Sequence, residues 1–438
     1  MFWLIYNVLI VLGAPVIVSL LLTRKRCQRG LRGRLGHVPN ELQHLSGPVV
    51  WVHAVSLGEV TAIVPLLRAM KEAEPQQAIV VSTVTETGRE MVLTHLKGVA
   101  THCYAPLDFW WVVNRYVRAL NPRLFLLVES EIWPNLLTSL TENHVTVCLV
   151  NGRISSRSFS RYQMVQRFMK RIWSFLDLAL MQTVQDAERI KQLGTSANVV
   201  HVTGNMKFDQ VVDSQKKFDS SQSVRTTLGI KDTEFVIVAG STHPQEEELL
   251  LQAYQLLSQA KKGLVLVLAP RHIERASELE AVIARFGLSC VRRTQMTDEN
   301  IASTQPLSPR VILLDSRGEL PSVYRVGIVG FVGGTLVPIG GHNLLEPAQW
   351  GRPVMFGPHV DHCQDSARQL LQAGGAVQIH EPKDLGAQLL YLLENSFEAE
   401  QMGEKALGVV EQNRGVVNIN LQMIRQLLIH QPIAPGPV

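Results

Sequence analysis

The sequence contains few charged residues and few cysteines for its length. Lysine, arginine, aspartate and glutamate make up 18% of the 438 residues, whereas 46% are hydrophobic, a composition that excludes a disordered chain. The net charge is +4, from 42 basic and 38 acidic residues, which argues against a nucleic-acid partner. The five cysteines form no Cys-x-x-Cys pair. We therefore predict a reducing compartment and no disulfide framework.

Several signatures of cofactor sites are also absent. No strand is followed by G-x-G-x-x-G and there is no G-x-x-x-x-G-K-[ST] loop, which argues against a nicotinamide, flavin or P-loop site. No Asp-x-Asp pair is present to hold a divalent ion on a sugar nucleotide. His359, Asp361, His362 and Cys363 lie close together in the sequence, but no matching cluster accompanies them. We interpret this loop as structural.

The N-terminus carries the chain's only long apolar run. Residues 2–22 contain no acid or base, and Arg24, Lys25, Arg26, Arg29, Arg32 and Arg34 follow. About 20 apolar residues suffice to cross a bilayer as a helix, and the basic flank favours the cytoplasmic side. We predict a membrane anchor over 1–22 and a basic juxtamembrane segment over 23–46. A buried core helix and a signal peptide are the alternatives, and Gly13 and Pro15 leave a kinked interfacial helix open.

The remainder of the chain contains two series of short apolar runs, each alternating with helical patterns. The first series comprises runs at 49–53, 78–82, 124–128, 145–150 and 178–181, and the second comprises runs at 235–240, 264–269, 311–315, 326–332 and 353–356. Such continuous runs suit strands buried on both faces of a parallel sheet. We therefore predict two doubly wound α/β domains, 47–207 and 231–438, joined by a polar linker over 208–230 and facing a cleft.

In open α/β sheets, ligands bind beyond the carboxyl ends of the strands. In the first domain, Glu59 follows the first strand in the first turn of a helix, where the helix dipole favours a carboxylate and lowers its pKa. Glu129 and Glu131 follow the strand at 124–128, and we expect only one of them to face the cleft. Lys207 follows a Gly-Asn turn. Each of these four residues also admits a plain structural or solvated role.

In the second domain, four strand ends carry glycines or cations. Arg271 is placed to grip a phosphate, and Arg317-Gly318-Glu319 opens another helix. Gly333-Gly334 and Gly340-Gly341 allow backbone N–H groups to approach an anionic ligand, and Glu346 is placed to accept hydrogen bonds from ribose hydroxyls. Together these features predict a nucleotide site.

Five motifs make the family resemblance specific. They are HAVSLGE (53–59), ESEIWPN (129–135), GNMKFD (204–209), PRHIER (270–275) and GGHNLLEP (340–347). In this order, behind an apolar N-terminus, they resemble the bacterial Kdo transferases. That family has the two-domain GT-B fold and moves 3-deoxy-D-manno-oct-2-ulosonic acid (Kdo) from CMP-Kdo to a lipid A precursor.

The resemblance implies a role for each matching residue. Glu59 corresponds to the catalytic base, and Glu129 and Lys207 assist at the transition state. The cytidine nucleotide is held by three segments, whose residues are Pro270 and Arg271; Arg317, Gly318 and Glu319; and Asn343, Leu344, Leu345 and Glu346. The family differs in part at position 317, where some members carry Met.

The resemblance further implies an inverting transfer without metal or cofactor, to lipid IVA in lipopolysaccharide core synthesis, on the cytoplasmic face of the bacterial inner membrane. Two alternatives stay open at this point. One is another membrane-associated GT-B enzyme with a UDP-sugar donor, and the other is a non-catalytic sugar-nucleotide-binding protein. The number of Kdo units, the acylation of the acceptor and the oligomeric state are not predicted.

Overall fold

The computed structural model describes residues 2–23, 29–45, 47–209, 221–296 and 310–430. The chain divides into two compact units. The first comprises Met1–Gln210 and Gly415–Val438, and the second comprises Val211–Arg414. Each unit is built on one parallel sheet, so the predicted pair of α/β domains is confirmed at this level.

The first unit's sheet has the strand order β3-β2-β1-β4-β5-β6-β7, with all described pairs parallel. Every residue of β1 and β5 is buried because helices cover both sheet faces. The strands are β1 (Val49–His53), β2 (Ala78–Thr83), β3 (Thr101–Tyr104), β4 (Pro122–Val128), β5 (Thr146–Gly152), β6 (Leu178–Met181) and β7 (Val200–Val202).

The second unit's sheet has the order β10-β11-β9-β8-β12-β13-β14, again parallel throughout its described pairs. Its strands are β8 (Phe235–Thr242), β9 (Leu264–Pro270), β10 (Ser289–Arg292), β11 (Arg310–Leu313), β12 (Val329–Val332), β13 (Val354–Phe356) and β14 (Ala376–Gln378). In each sheet the order changes direction beside the first strand of the unit, between β1 and β4 and between β8 and β12.

Helices connect the strands and form the outer layers. In the first unit they are α1 (Phe2–Thr23), α2 (Leu31–Arg34), α3 (Asn40–Gln43), α4 (Leu57–Ala73), α5 (Glu86–His95), α6 (Trp110–Leu120), α7 (Pro134–Glu142), α8 (Ser156–Met164), α9 (Gln166–Trp173) and α10 (Val184–Leu193). In the second unit they are α11 (Ser221–Thr227), α12 (Glu246–Ala260), α13 (Ala276–Arg285), α14 (Leu320–Val323), α15 (Leu345–Ala348), α16 (Gln364–Ala373), α17 (Asp384–Glu394) and α18 (Ser396–Gln412). The last helix, α19 (Val416–His430), returns to the first unit.

The structure changes two predicted domain boundaries. The second domain was predicted to run to residue 438, but α19 packs on the first unit, where Val416, Val417 and Ile424 join the core cluster of β1, β2 and β4. The predicted linker 208–230 also contains α11, and Val224, Leu228 and Ile230 are buried. These three residues therefore belong to a folded unit. Of the predicted linker, residues 210–220 lie outside the described residues.

The apolar N-terminal run forms the helix α1, as its composition predicts. Within residues 2–23, 29–45, 47–209, 221–296 and 310–430, no helix is long and apolar enough to cross a membrane, so the predicted spanning anchor finds no support there. Arg24, Lys25 and Arg26 of the predicted basic segment lie outside the described residues. Arg34 is not part of an exposed basic flank. Its guanidinium is buried, donates a hydrogen bond to the Val84 carbonyl at 2.6 Å and lies over the Tyr104 ring.

Asp209 fastens the returning segment to the first unit. Its two carboxylate oxygens accept hydrogen bonds from the backbone N–H groups of Gly415 at 2.7 Å and Val417 at 2.6 Å. These amides lie at the start of α19, where they have no partner within the helix. Asp209 thus acts as a cap supplied by the chain just before it leaves the first unit.

We expect Asp209→Ala to loosen α19 by about 1–2 kcal/mol, the usual cost of removing a cap. Hydrogen exchange at the α19 amides should accelerate by roughly 5–30-fold, while Asp209→Asn, which retains one acceptor oxygen, should have a smaller effect. The same substitution at the exposed Asp232 is the control. Unchanged exchange in Asp209→Ala would show that the cap does not hold the helix.

Candidate active site

Glu59 lies at the buried start of α4, directly after β1. Ser56 caps this helix, and its hydroxyl donates to Glu59 Oε1 at 2.9 Å. The backbone N–H of Val55 donates to Oε2 at 2.7 Å. The first-turn position predicted from the sequence is confirmed, and the pattern is close to a capping box. Only 6% of Glu59 is exposed.

The prediction of a lowered pKa for Glu59 is wrong. Burial raises the pKa of Glu59 to about 7, and the negative charges of Glu129 and Glu131 raise it further, against the lowering effects of the Val55 and Ser56 hydrogen bonds. Desolvation of the charged form outweighs the dipole because the carboxylate is enclosed. Glu59 therefore exchanges its proton near neutral pH, the range in which a general base works best.

Glu129 and Lys207, to which the resemblance gives a shared role, lie next to each other. Lys207 Nζ lies 3.7 Å from Glu129 Oε1, and both side chains are partly exposed, at 34% and 25%. Glu129 has a φ of 60°, a left-handed conformation that is uncommon for this residue type. It breaks the extended alternation on which the prediction of a single cleft-facing acid rested. Glu129 and Glu131 both raise the pKa of Glu59, and that only one of them faces the cleft stays a prediction.

A row of amide side chains positions the backbone of Lys207, and the sequence analysis missed it. The Asn151 side-chain oxygen accepts from the Met206 N–H at 3.0 Å, and the Gln182 amide donates to the Asn151 carbonyl at 2.9 Å. The Asn205 amide donates to Gln182 at 3.1 Å and its oxygen accepts from the Lys207 N–H at 3.0 Å. The signal was a polar residue at the carboxyl end of β5 and another directly after β6.

His53, at the end of β1, supports the same region. It is fully buried, its Nδ1 lies 3.0 Å from the Ser82 hydroxyl, and its ring meets the Trp133 ring edge-on at 5.5 Å. Burial lowers the pKa of His53 to about 4, so the imidazole is neutral at physiological pH. Trp133 directly precedes α7 and Pro134 begins it, which confirms the predicted helix start after ESEI.

In the second unit, Arg271 and Glu346 lie close enough for their charges to interact. Arg271 follows Pro270 at the end of β9 and its N–H donates to the Thr242 carbonyl at 2.9 Å. Burial raises the pKa of Glu346 to about 7, against a hydrogen bond from Asn343 and the charge of Arg271. Leu344 and Leu345 are buried, so their predicted contact with the donor stays a prediction.

The predicted turn after β11 has different partners. Arg317 is exposed and forms a surface ion pair with Glu274 at 2.9 Å. Gly318 has a φ of 85°, which explains the need for glycine there. Glu319 is bonded to Arg293 at 3.1 Å and to the Ser316 hydroxyl. These residues neighbour one another, but no described contact joins them to Arg271 or Glu346.

The first glycine pair does not present its amides to a ligand. The backbone N–H groups of Gly334, Thr335 and Leu336 donate to the carboxylate of Glu246 at 2.7, 2.9 and 2.8 Å. A row of such amides is a typical anion site, and here the protein's own carboxylate, fully buried at the start of α12, fills it. The predicted role of Gly333-Gly334 is therefore wrong, and the pair serves to tie β12 to α12.

Comparison with known proteins identifies the family. The family model described as 3-deoxy-D-manno-octulosonic-acid transferase (kdotransferase) matches residues 29–210. A 3-deoxy-D-manno-octulosonic acid transferase of Haemophilus influenzae is 31% identical over 384 residues, which cover 86% of this chain and 87% of that protein. The chain belongs to the Kdo transferase family. A Chlamydophila psittaci enzyme of the same name is 33% identical and covers 75% of this chain and 74% of its own length.

Solved structures agree on the fold. UDP-GlcNAc 2-epimerase of Neisseria meningitidis superposes with a TM-score of 0.60 at 12% identity, covering 88% of this chain and 100% of that one. A glycosyltransferase of Rickettsia africae gives 0.57 at 9% identity, with coverages of 88% and 100%. At these identities the similarity concerns the fold alone. It supports a GT-B-like architecture of two parallel-sheet α/β units, and the family assignment makes the chain a glycosyltransferase.

The pKa of Glu59 predicts a pH-dependent effect on stability. Its folded pKa of about 7 exceeds the ordinary 4.5, so its contribution to stability is fully present below pH 4.5 and is lost as pH rises through 7. Glu59→Gln, which mimics the protonated form, should gain about 2–3 kcal/mol over the wild type between pH 5 and pH 8. Urea unfolding at both pH values measures the gain, with Glu→Gln at the exposed Glu142 as control. Equal pH dependence in all three proteins would mean that the Glu59 pKa is not raised.

Proposed function

We propose that this chain transfers Kdo from CMP-Kdo to a lipid A precursor, with lipid IVA as the acceptor, in lipopolysaccharide core synthesis. The observation that supports this most strongly is the enclosed Glu59, whose pKa of about 7 arises from burial and two neighbouring acids within a motif shared with the family. In this proposal the first unit supplies the base and the second unit holds the donor through Arg271, Asn343 and Glu346.

The proposed reaction is an inverting displacement. Glu59 accepts the proton of an acceptor hydroxyl, whose oxygen forms a bond to the anomeric C2 of Kdo while the bond from C2 to the phosphate oxygen breaks and CMP leaves. Lys207, paired with Glu129, supplies a positive charge for the Kdo carboxylate or the leaving phosphate. We propose that no metal ion takes part, because a single phosphate carries less charge than a diphosphate and an arginine can stabilise it.

We expect Glu59→Gln to lower turnover by about 10²–10⁴-fold, the usual contribution of a general base. The affinity for CMP should remain, because the variant keeps the second unit intact. Product formation by mass spectrometry with CMP-Kdo and tetraacyl acceptor, and calorimetric CMP titration, measure the two effects.

Arg271→Ala is the complementary variant, because it should weaken CMP binding. A Glu59→Gln enzyme with near-normal turnover would contradict the assignment of the base. A wild-type chain that binds UDP in preference to CMP would instead favour a UDP-sugar donor.

We further propose that α1 attaches the enzyme to the cytoplasmic face of the inner membrane, where an acylated acceptor resides. One side of α1 packs on the first unit: the Tyr6 hydroxyl donates to Asp108 at 2.7 Å, and Trp3 and Tyr6 meet the Phe168 ring. The other side is exposed and apolar. Its exposed residues are Leu4, Ile5, Val8, Leu9, Val11 and Leu12.

Exposed aromatic and basic residues lie close in sequence to the residues that α1 contacts. Trp110 and Trp111 are exposed at the start of α6, two and three residues after Asp108, the partner of Tyr6. Arg167 and Arg171 are exposed on either side of Phe168 in sequence. Apolar and aromatic residues beside cations are typical of surfaces that bind anionic lipid.

Replacement of both Leu9 and Leu12 by Glu should reduce binding to anionic phospholipid vesicles by at least about tenfold, because two charges enter the apolar face. Vesicle co-sedimentation measures the change. The control is Leu93→Glu, since Leu93 is also an exposed leucine, on α5. Unchanged binding of the double variant would contradict attachment through α1.

A further inference from the structure

The second sheet reverses its strand order between β8 and β12. Such a reversal opens a crevice at the carboxyl ends of the two strands, where open α/β sheets bind ligands. His243 directly follows β8, and the loop Gly340–Asn343 follows β12. The side chains of His243 and of His342, in that loop, meet here.

The contact between the two rings is an in-line hydrogen bond. His243 Nε2 lies 2.9 Å from His342 Nε2, the ring centroids are 5.2 Å apart and the ring planes differ by 7°. The centroid distance exceeds the nitrogen distance by about the two ring radii, so the rings face each other edge to edge in nearly one plane. One Nε2 must then carry the proton while the other accepts it. An ion between the two nitrogens would have no room.

The surroundings keep this pair uncharged. The pKa of His342 is lowered to about 4 by burial, by Arg271 and by the other histidines, and that of His243 is lowered by burial, His272, Arg271 and Arg275. Two imidazolium rings would both be donors and would break the bond. At neutral pH the pair therefore forms a neutral N–H···N bond between two loops.

His243 also lies between the two motifs that we assign to the donor. Its ring meets the ring of His272, which follows Arg271, edge-on at a centroid distance of 6.0 Å. Its bond to His342 reaches the residue before Asn343, whose side chain accepts from the Leu345 N–H at 3.2 Å and bonds to Glu346. The His243 imidazole, directly after β8, thus contacts both motifs: it meets His272 in the first and bonds to His342 in the second.

The loop that carries Asn343 needs such a support. Gly340 and Gly341 both have positive φ, 101° and 81°, and two adjacent glycines lose much backbone freedom when they are ordered. Two backbone hydrogen bonds brace the loop, from the Gly341 N–H to the Gly334 carbonyl and from the His362 N–H to the Gly340 carbonyl. The bond from His243 attaches it to β8 as well.

We propose that His243 is a positioning residue of the donor site, which through its hydrogen bond to His342 holds the loop of Asn343 and Glu346 in the conformation that binds the nucleotide. The inference rests on the proposed function and adds to it a residue outside the motifs of the resemblance. His243 is not assigned a contact with the donor or a step in the reaction.

A matched pair of amide variants tests the inference. Glutamine at position 243 places its terminal amide where the imidazole Nε2 lies, whereas asparagine is too short to reach His342. In the full-length protein, His243→Asn should raise the dissociation constant for CMP and the KM for CMP-Kdo by about tenfold, as expected for one lost hydrogen bond. His243→Gln should stay within about threefold of the wild type, and kcat should change by less than about twofold in both.

Controls separate positioning from general damage. The thermal midpoints of the two variants without CMP should agree, and the exposed His380→Asn should bind CMP normally. His243→Asn combined with His342→Asn should bind CMP no more weakly than the weaker single variant, because both substitutions remove the same bond.

Two results would overturn the inference alone: equal CMP affinity in His243→Asn and the wild type, or additive losses in the double variant. A wild-type chain that does not bind CMP would overturn the proposed function, and this inference with it.

Discussion

Both sheets are parallel and both reverse their strand order beside the first strand of the unit, and this reversal determines where side chains from distant parts of the sequence can meet. A parallel strand brings its carboxyl end to the same edge as its neighbours, and the helices that follow diverge at the reversal. In the first unit the edge between β1 and β4 carries Glu59 and Glu129. In the second, the edge between β8 and β12 carries His243 and His342.

Two buried glutamates, each in the first turn of a helix, have different roles. Glu246 accepts four backbone N–H groups, from His243 and from the loop after β12, and is fully enclosed. Its oxygens are fully engaged, so it holds two loops together. Glu59 accepts one backbone N–H and one hydroxyl, and it has two acids nearby. Burial raises the pKa of both carboxylates, but Glu59 has fewer donors and more negative charge beside it.

The sequence predicts the long buried strands well because continuous apolar runs have few other uses. It misses β3, β7, β10 and β14, whose sequences THCY, VHV, SCVR and AVQ are short and contain polar residues. These strands lie at sheet edges or next to them, where burial is incomplete and the pattern is weak. The return of α19 depends on two hydrogen bonds to Asp209, about 200 residues away, which no local pattern contains. The raised pKa of Glu59 depends likewise on burial and on acids that follow a different strand.

The left-handed conformation of Glu129 bears on the electrostatics of Glu59, because Glu129 is one of the two acids that raise the pKa of Glu59. A non-glycine residue at a φ of 60° costs of order 1–3 kcal/mol, and the conformation persists where the chain leaves β4, with the Glu129 N–H bonded to the Val150 carbonyl at 3.0 Å. It brings the carboxylate to 3.7 Å from Lys207. Lys207 thus lies beside one of the two acids whose negative charge raises the pKa of Glu59. The amides of Asn151, Gln182 and Asn205 hold the backbone that carries Lys207.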